Sequence, residues 1–207
     1  GYLEGYRIGR YPEEAPELGA ASGRSGGTRR EFFDGSALYE RPDGFVRVSL
    51  ENQALYVSPR FRLEQFLCKQ ESGYPKFLVV QPELLVRLEQ ILDALEARGV
   101  TASTLHVMSG YRTPYYNALI GNVAYSRHQW GDAADVFVDE DGNGRMDDLN
   151  GDGRVNRADA RWLHNLIAEL GPTPAGDRLR GGLSAYGSTS THGPFIHVDV
   201  RGYRARW

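Results

Sequence analysis

The 207-residue chain is 41% hydrophobic and 25% charged, which is globular rather than disordered composition, and it is long enough for one compact domain with a substantial core. No run of about 18 apolar residues spans a membrane and the start at Gly1 lacks a basic-then-apolar signal, so a periplasmic or secreted form would have lost its leader before this numbering. The formal charge of -3 is local: residues 139–159 hold seven acids against three arginines, which leaves about +1 for the rest and no basic stripe for nucleic acid.

Residues 1–12 are aromatic and glycine-rich, as in an irregular arm packed on a surface, whereas 13–30 are polar, rich in Gly and Ser, and predict a mobile loop. Alternation over 45–50 predicts a strand. Ser58 before Pro59, with apolar residues at helical spacing, predicts a short helix over 58–66. Cys68 is single, so it forms no internal disulfide and reads as a buried apolar residue. Residues 81–98 give the clearest helix, with Pro82 near its start, Leu84, Leu85, Leu88, Ile91, Leu92 and Leu95 on one face and Gly99 at the C-cap. A strand over 104–108 follows. Its His106, like His164 on a later helix, has no companion at metal-ligand spacing and reads as packed or hydrogen-bonded.

The chemistry concentrates in Ser126-Arg127-His128-Gln129-Trp130-Gly131-Asp132-Ala133-Ala134-Asp135, a loop feeding an apolar strand, and in Phe195-Ile196-His197-Val198-Asp199. In the second run the two-residue period puts His197 and Asp199 on one face. His128, Asp135 and His197 together form a three-ligand set that keeps a fourth position open, as in catalytic rather than structural zinc sites. With Ser109-Gly110-Tyr111-Arg112-Thr113-Pro114 upstream, these motifs resemble the M15 family of peptidoglycan peptidases, part of a wider group with D-Ala-D-Ala carboxypeptidases, murein endopeptidases and the hedgehog domain. The likeness covers roughly residues 101–138 and 181–201.

The resemblance implies one catalytic Zn2+ on His128, Asp135 and His197, with Arg112 facing the substrate. Many relatives place a glutamate three residues before the last histidine ligand; here that position is Pro194. His192, five residues before His197 as in the murein endopeptidases, becomes the implied general acid/base. Tyr111, Tyr115, Tyr116 and Asn117 are candidates to line the cleft for a peptide stem. The expected activity is a zinc peptidase on peptidoglycan, more an endopeptidase than a carboxypeptidase. A catalytically silent zinc-holding module and a calcium-dependent adhesion module are the alternatives from other classes, and a monomer is favoured.

Between the two motifs, Asp148, Asn150, Asp152, the Arg154 carbonyl, Asn156 and Asp159 fall at the donor positions of a twelve-residue EF-hand loop, with Gly153 at the turn and Val155 as its inward apolar residue. An overlapping loop offers Asp139, Asp141, Asn143, the Arg145 carbonyl and Asp147. This segment resembles the calcium loops of dockerins and thrombospondin type 3 repeats, which implies one or two structural Ca2+ ions, followed by an amphipathic helix over 157–170. The fold class predicted is α+β: a small, mainly antiparallel sheet, flanking helices, and the calcium segment inserted over 139–170.

Overall fold

The computed structural model describes residues 5–12, 39–170 and 179–207; the first four residues of the arm and the loop expected over 13–30 lie outside the described residues. The fold is α+β. Its main sheet has five strands, β5 (His106–Ser109), β6 (Ala133–Phe137), β7 (Gly182–Tyr186), β8 (Phe195–Asp199) and β9 (Ala205–Arg206), in the order β5-β6-β8-β7-β9. All neighbours are antiparallel except β7 and β9. Two smaller antiparallel pairs join β1 (Val46–Val48) to β4 (Lys76–Leu78) and β2 (Tyr56–Ser58) to β3 (Phe61–Arg62).

Side-chain alternation divides the labour of the main sheet. Ala134, Val136, Leu183, Ile196 and Val198 are buried in the apolar core. That core also takes the leucine stripe of α1 (Pro82–Ala97) and, beyond the short α2 (Pro114–Leu119), Ala160, Leu163, Leu166 and Ile167 of α3 (Arg157–Glu169). The six α1 side chains expected to face inward are all buried, each contributing on the order of 1.5–3 kcal/mol by leaving water. Gly99 follows the helix at φ +78, the left-handed backbone of a C-terminal glycine. The opposite alternation set, Asp135, Ser184 and His197, lies in one row across β6, β8 and β7, because Asp135 pairs with His197 and His197 with Ser184.

The helix expected over 58–66 does not form. Ser58 and Arg60 sit at the tip of the β2–β3 hairpin, where the Ser58 hydroxyl and the Arg60 amide both donate to Glu89 of α1, at 2.7 and 2.8 Å. Ser58 ends strand β2 and pairs with Phe61 of β3, which commits this backbone to the hairpin, and only Leu63–Phe66 turns, as a 3-10 helix. The aromatic arm is packed: Tyr6 and Tyr11 are buried, and the Tyr11 hydroxyl donates to the Gln129 carbonyl at 2.9 Å. Cys68 is buried and free.

Candidate metal centre

Three elements deliver the His-Asp-His set. Asp135 is central on β6, and His197 stands directly opposite it on β8. His128 lies in a 3-10 helix, Arg127–Trp130, which ends at Gly131 with φ +71. A Cβ at Gly131 would stand 2.3 Å from the Val79 carbonyl oxygen, so glycine alone satisfies both the backbone conformation and the close approach of the β4 side of the fold. The three side chains are buried and present ligand atoms that converge. His128 Nε2 is 3.3 Å and His197 Nδ1 is 2.9 Å from the same oxygen, Asp135 Oδ1.

The remaining ring nitrogens are already committed. His128 Nδ1 lies 2.7 Å from the Gly110 carbonyl, and His197 Nε2 lies 3.1 Å from Asp199 Oδ2. Each acceptor selects the tautomer that leaves the other nitrogen free to bind a cation, the usual outer support of a metal-ligating histidine. Arg112 donates from Nη2 to Asp135 Oδ2 at 2.5 Å and from Nε to the Ser109 hydroxyl at 2.8 Å. It thereby occupies the outer carboxylate oxygen and leaves Oδ1 to the imidazoles. Asp199 is in turn gripped by Arg201 and by the Gly182 amide at 2.7 Å.

Burial pushes the His128 imidazolium down despite the neighbouring Asp135. It acts the same way on His197, but there hydrogen bonds to Asp135 and Asp199 win and hold the ring up, at about 9. Desolvation alone would raise both carboxyls; the histidines around Asp135, and His197 with Arg201 around Asp199, instead pull them below the usual range. A compact, buried N2O donor set results.

The centre opens into a cleft of about 500 Å³. Arg112 and the Asn122–Ser126 side bound it on one hand, and Tyr186, Phe195, Arg201 and Trp207 on the other. The aromatic candidates taken from the 111–117 stretch are elsewhere. Tyr111 is in the core with its hydroxyl 3.0 Å from that of Tyr11, and Asn117 is buried with its amide donating to Val123 O. Tyr115 lies under the Arg7 guanidinium, and Tyr116 packs on the hydrophobic core. His192 is outside the converging set; its ring meets the edge of Phe195 at 5.0 Å, and its Nδ1 is 2.8 Å from the Gly193 carbonyl. Asp199, which holds His197, and Arg201 and Trp207, which line the cleft, join the site in the structure. The strand period signalled Asp199; nothing local signals Trp207.

The acidic segment forms two tandem turns nine residues apart. In the first, Asp139 accepts the Asn143 and Gly144 amides, Asp141 the Asn143 amide and Asn143 the Arg145 amide. In the second, Asp148, Asn150 and Asp152 accept from Asp152, Gly153 and Arg154 in the same pattern. Asp139, Asp141 and Asp147 converge within reach of one cation. The expected closing residue of the second loop does not join Asp148 and Asp152 in such a group among the described residues. Asp159 is fully buried, with Oδ1 taking the Leu149 and Asn150 amides and Oδ2 the Asn156 amide, while Asn156 caps α3 through Ala158. Val155 is 46% exposed rather than tucked inward; the equivalent residue of the first turn, Met146, is the buried one. His106 stacks on Phe137 at 4.3 Å and points Nδ1 at Asp139, 3.4 Å away.

Among the described residues no helix is long and apolar enough to cross a membrane. No curated protein and no solved structure matches this chain. The family model described as Peptidase M15 matches residues 59–151, a span that holds Arg112, His128 and Asp135 but ends before His197. That match, together with the convergent His-Asp-His cluster, supports an M15-type metallopeptidase.

Proposed function

We propose that this chain is a zinc peptidase that hydrolyses D-amino-acid-containing peptide bonds in peptidoglycan stem peptides, acting as a cross-link endopeptidase outside the cytoplasm. One observation carries the reading: two histidines, each with its second nitrogen already hydrogen-bonded, aim their free nitrogens at a single oxygen of a buried carboxylate beside an open cleft. Two nitrogens and one oxygen suit zinc, and three protein ligands are the number found where a position is left for chemistry. His128, Asp135 and His197 would hold the ion, which would supply Lewis acidity to activate water and polarise the scissile carbonyl.

The chain's own residues do the rest. Asp199 fixes the His197 tautomer, and Gly110 does the same for His128. Arg112 anchors Asp135 and presents its remaining donors to the cleft, where they meet a carbonyl oxygen as it gains negative charge. His192, which packs against Phe195 of the cleft wall, exchanges the proton with the leaving amine. Pro194 in place of a glutamate favours the endopeptidase over the D-Ala-D-Ala carboxypeptidase. The two acidic turns take one or two structural Ca2+ ions, the first through Asp139, Asp141 and Asp147.

The test is metal analysis with mass spectrometry of digested peptidoglycan. Zinc near one per chain, with cross-linked dimers converted to monomers, is expected; release of terminal D-Ala alone assigns the carboxypeptidase instead. H192A should keep its zinc and lose about 10²–10⁴-fold in turnover. Bound zinc with no turnover in the parent protein would leave the silent module.

A further inference from the structure

Trp207 is the largest aromatic side chain lining the cleft, and the chemistry above leaves it without a task. The residue is 55% exposed, yet it is held on several sides. The indole N–H donates to the Tyr186 hydroxyl at 2.6 Å, the Trp207 carbonyl accepts from the Ser184 hydroxyl, and the Arg201 guanidinium lies 5.1 Å over the ring. Beneath it β9 pairs in parallel with β7. Its centroid is 5.4 Å from that of His197, and Tyr186, which it touches, is stacked on Phe195 at 4.7 Å and 11°. Trp207, Tyr186 and Phe195 thus make a continuous aromatic wall ending at the candidate metal ligand. An exposed indole immobilised in this way keeps apolar surface in water at a cost that a loose surface tryptophan would relieve by turning away.

We infer that Trp207 is a stacking platform for a pyranose ring, so that the cleft takes the glycan-linked stem peptide in preference to the free peptide; this rests on the peptidoglycan reading above. A sugar ring has one C–H face that suits an aromatic plane and a rim of hydroxyls that needs donors and acceptors. The cleft offers both, with the aromatic wall on one side and Asn122, Ser126 and Arg112 on the other. A cationic side chain is the weaker occupant. Arg201 already draws on the indole's negative face, and Arg112, Arg127 and Arg201 line the same cleft.

Isothermal titration calorimetry of the zinc-loaded protein and its variants with a disaccharide-linked stem peptide and with the same peptide lacking sugar tests this. In the parent protein, indole fluorescence reports the same binding, because Trp207 lines the cleft whereas Trp130 is buried and Trp162 packs against the hydrophobic core outside the cleft lining. The linked peptide should bind at least about 10-fold more tightly. W207A should bring the two affinities within about two-fold of each other, and W207F should retain most of the difference. Equal affinities in the parent protein, no binding of either ligand, or equal weakening of both by W207A would overturn the inference. Hydrolysis of the same ligands is read separately: binding through Trp207 without cleavage fails the peptidase reading and leaves this one standing, and cleavage without a sugar preference does the reverse.

Discussion

Asp199 gives the sharpest test of how the metal centre is held. It is buried at 1% exposure and accepts from His197, from the Gly182 amide and from both arms of Arg201. D199N keeps the shape but cannot serve the His197 N–H and the guanidinium as a charged acceptor. Loss of an outer partner of this kind weakens metal binding by about 10–100-fold, or roughly 1.4–2.8 kcal/mol. D199A goes further, because it strands a largely buried guanidinium, at a cost of about 3–5 kcal/mol. For a chain of this size that lowers the melting temperature by roughly 6–20 °C. Zinc affinity is read by competition with a chromophoric chelator, and stability by calorimetry on the metal-stripped protein, so the two effects separate. Zinc affinity of D199N within two-fold of the parent would refute the claim that Asp199 orients His197.

Three further outcomes follow from particular contacts. G131A should lose at least about 1–3 kcal/mol in denaturant unfolding and bind zinc more weakly, since its new methyl meets the Val79 carbonyl and the adjustment moves the turn carrying His128. Tyr6, Tyr11 and Tyr111 are buried, which raises all three hydroxyls, Tyr11 to about 12; an acid raised on folding stabilises fully below its unfolded value, so stability should fall as pH rises beyond about 10, by up to roughly 1.4 kcal/mol per pH unit per tyrosine. Denaturant curves at pH 8 and 11 check the sign. Calcium at 100 times its dissociation constant should add about 2.7 kcal/mol to unfolding stability, and D139A should remove the part due to the first turn.

What could be read from sequence divides by the range of the cause. The α1 stripe, the alternation that pairs His197 with Asp199 and the glycine at 131 are written within a few residues, and each stands where its pattern put it. The segment at 58–66 also carried local signals, but Glu89, some thirty residues away, captures Ser58 and Arg60 and turns a helix start into a hairpin tip. Tyr111 was misplaced for a related reason. Gly110 and Tyr111 run against the backbone of Phe66, the Tyr111 amide donating to the Phe66 carbonyl at 2.9 Å, and this turns the phenol into the core toward Tyr11. A loop has no period from which that direction could be read. Trp207 reaches the cleft only because β9 joins the sheet beside β7.

The acidic turns bear on the metal centre through the strand they extend. Asp135 and Phe137 belong to β6, Phe137 carries the His106 ring, and His106 faces Asp139, the first acid of the first turn. The Asp147 amide donates to the Val138 carbonyl and Met146 is buried, so that turn is tied to the sheet at both its ends. The second is tied to α3 by Asp159, and α3 packs on β7 and β8, the strand of His197. Both oxygens of Asp139 and of Asp148 already accept backbone amides, so the turns are formed by the chain's own hydrogen bonds. The segment thus bridges the two strands that carry Asp135 and His197, through Phe137, His106 and Val138 at β6 and through Asp159 and α3 at β8.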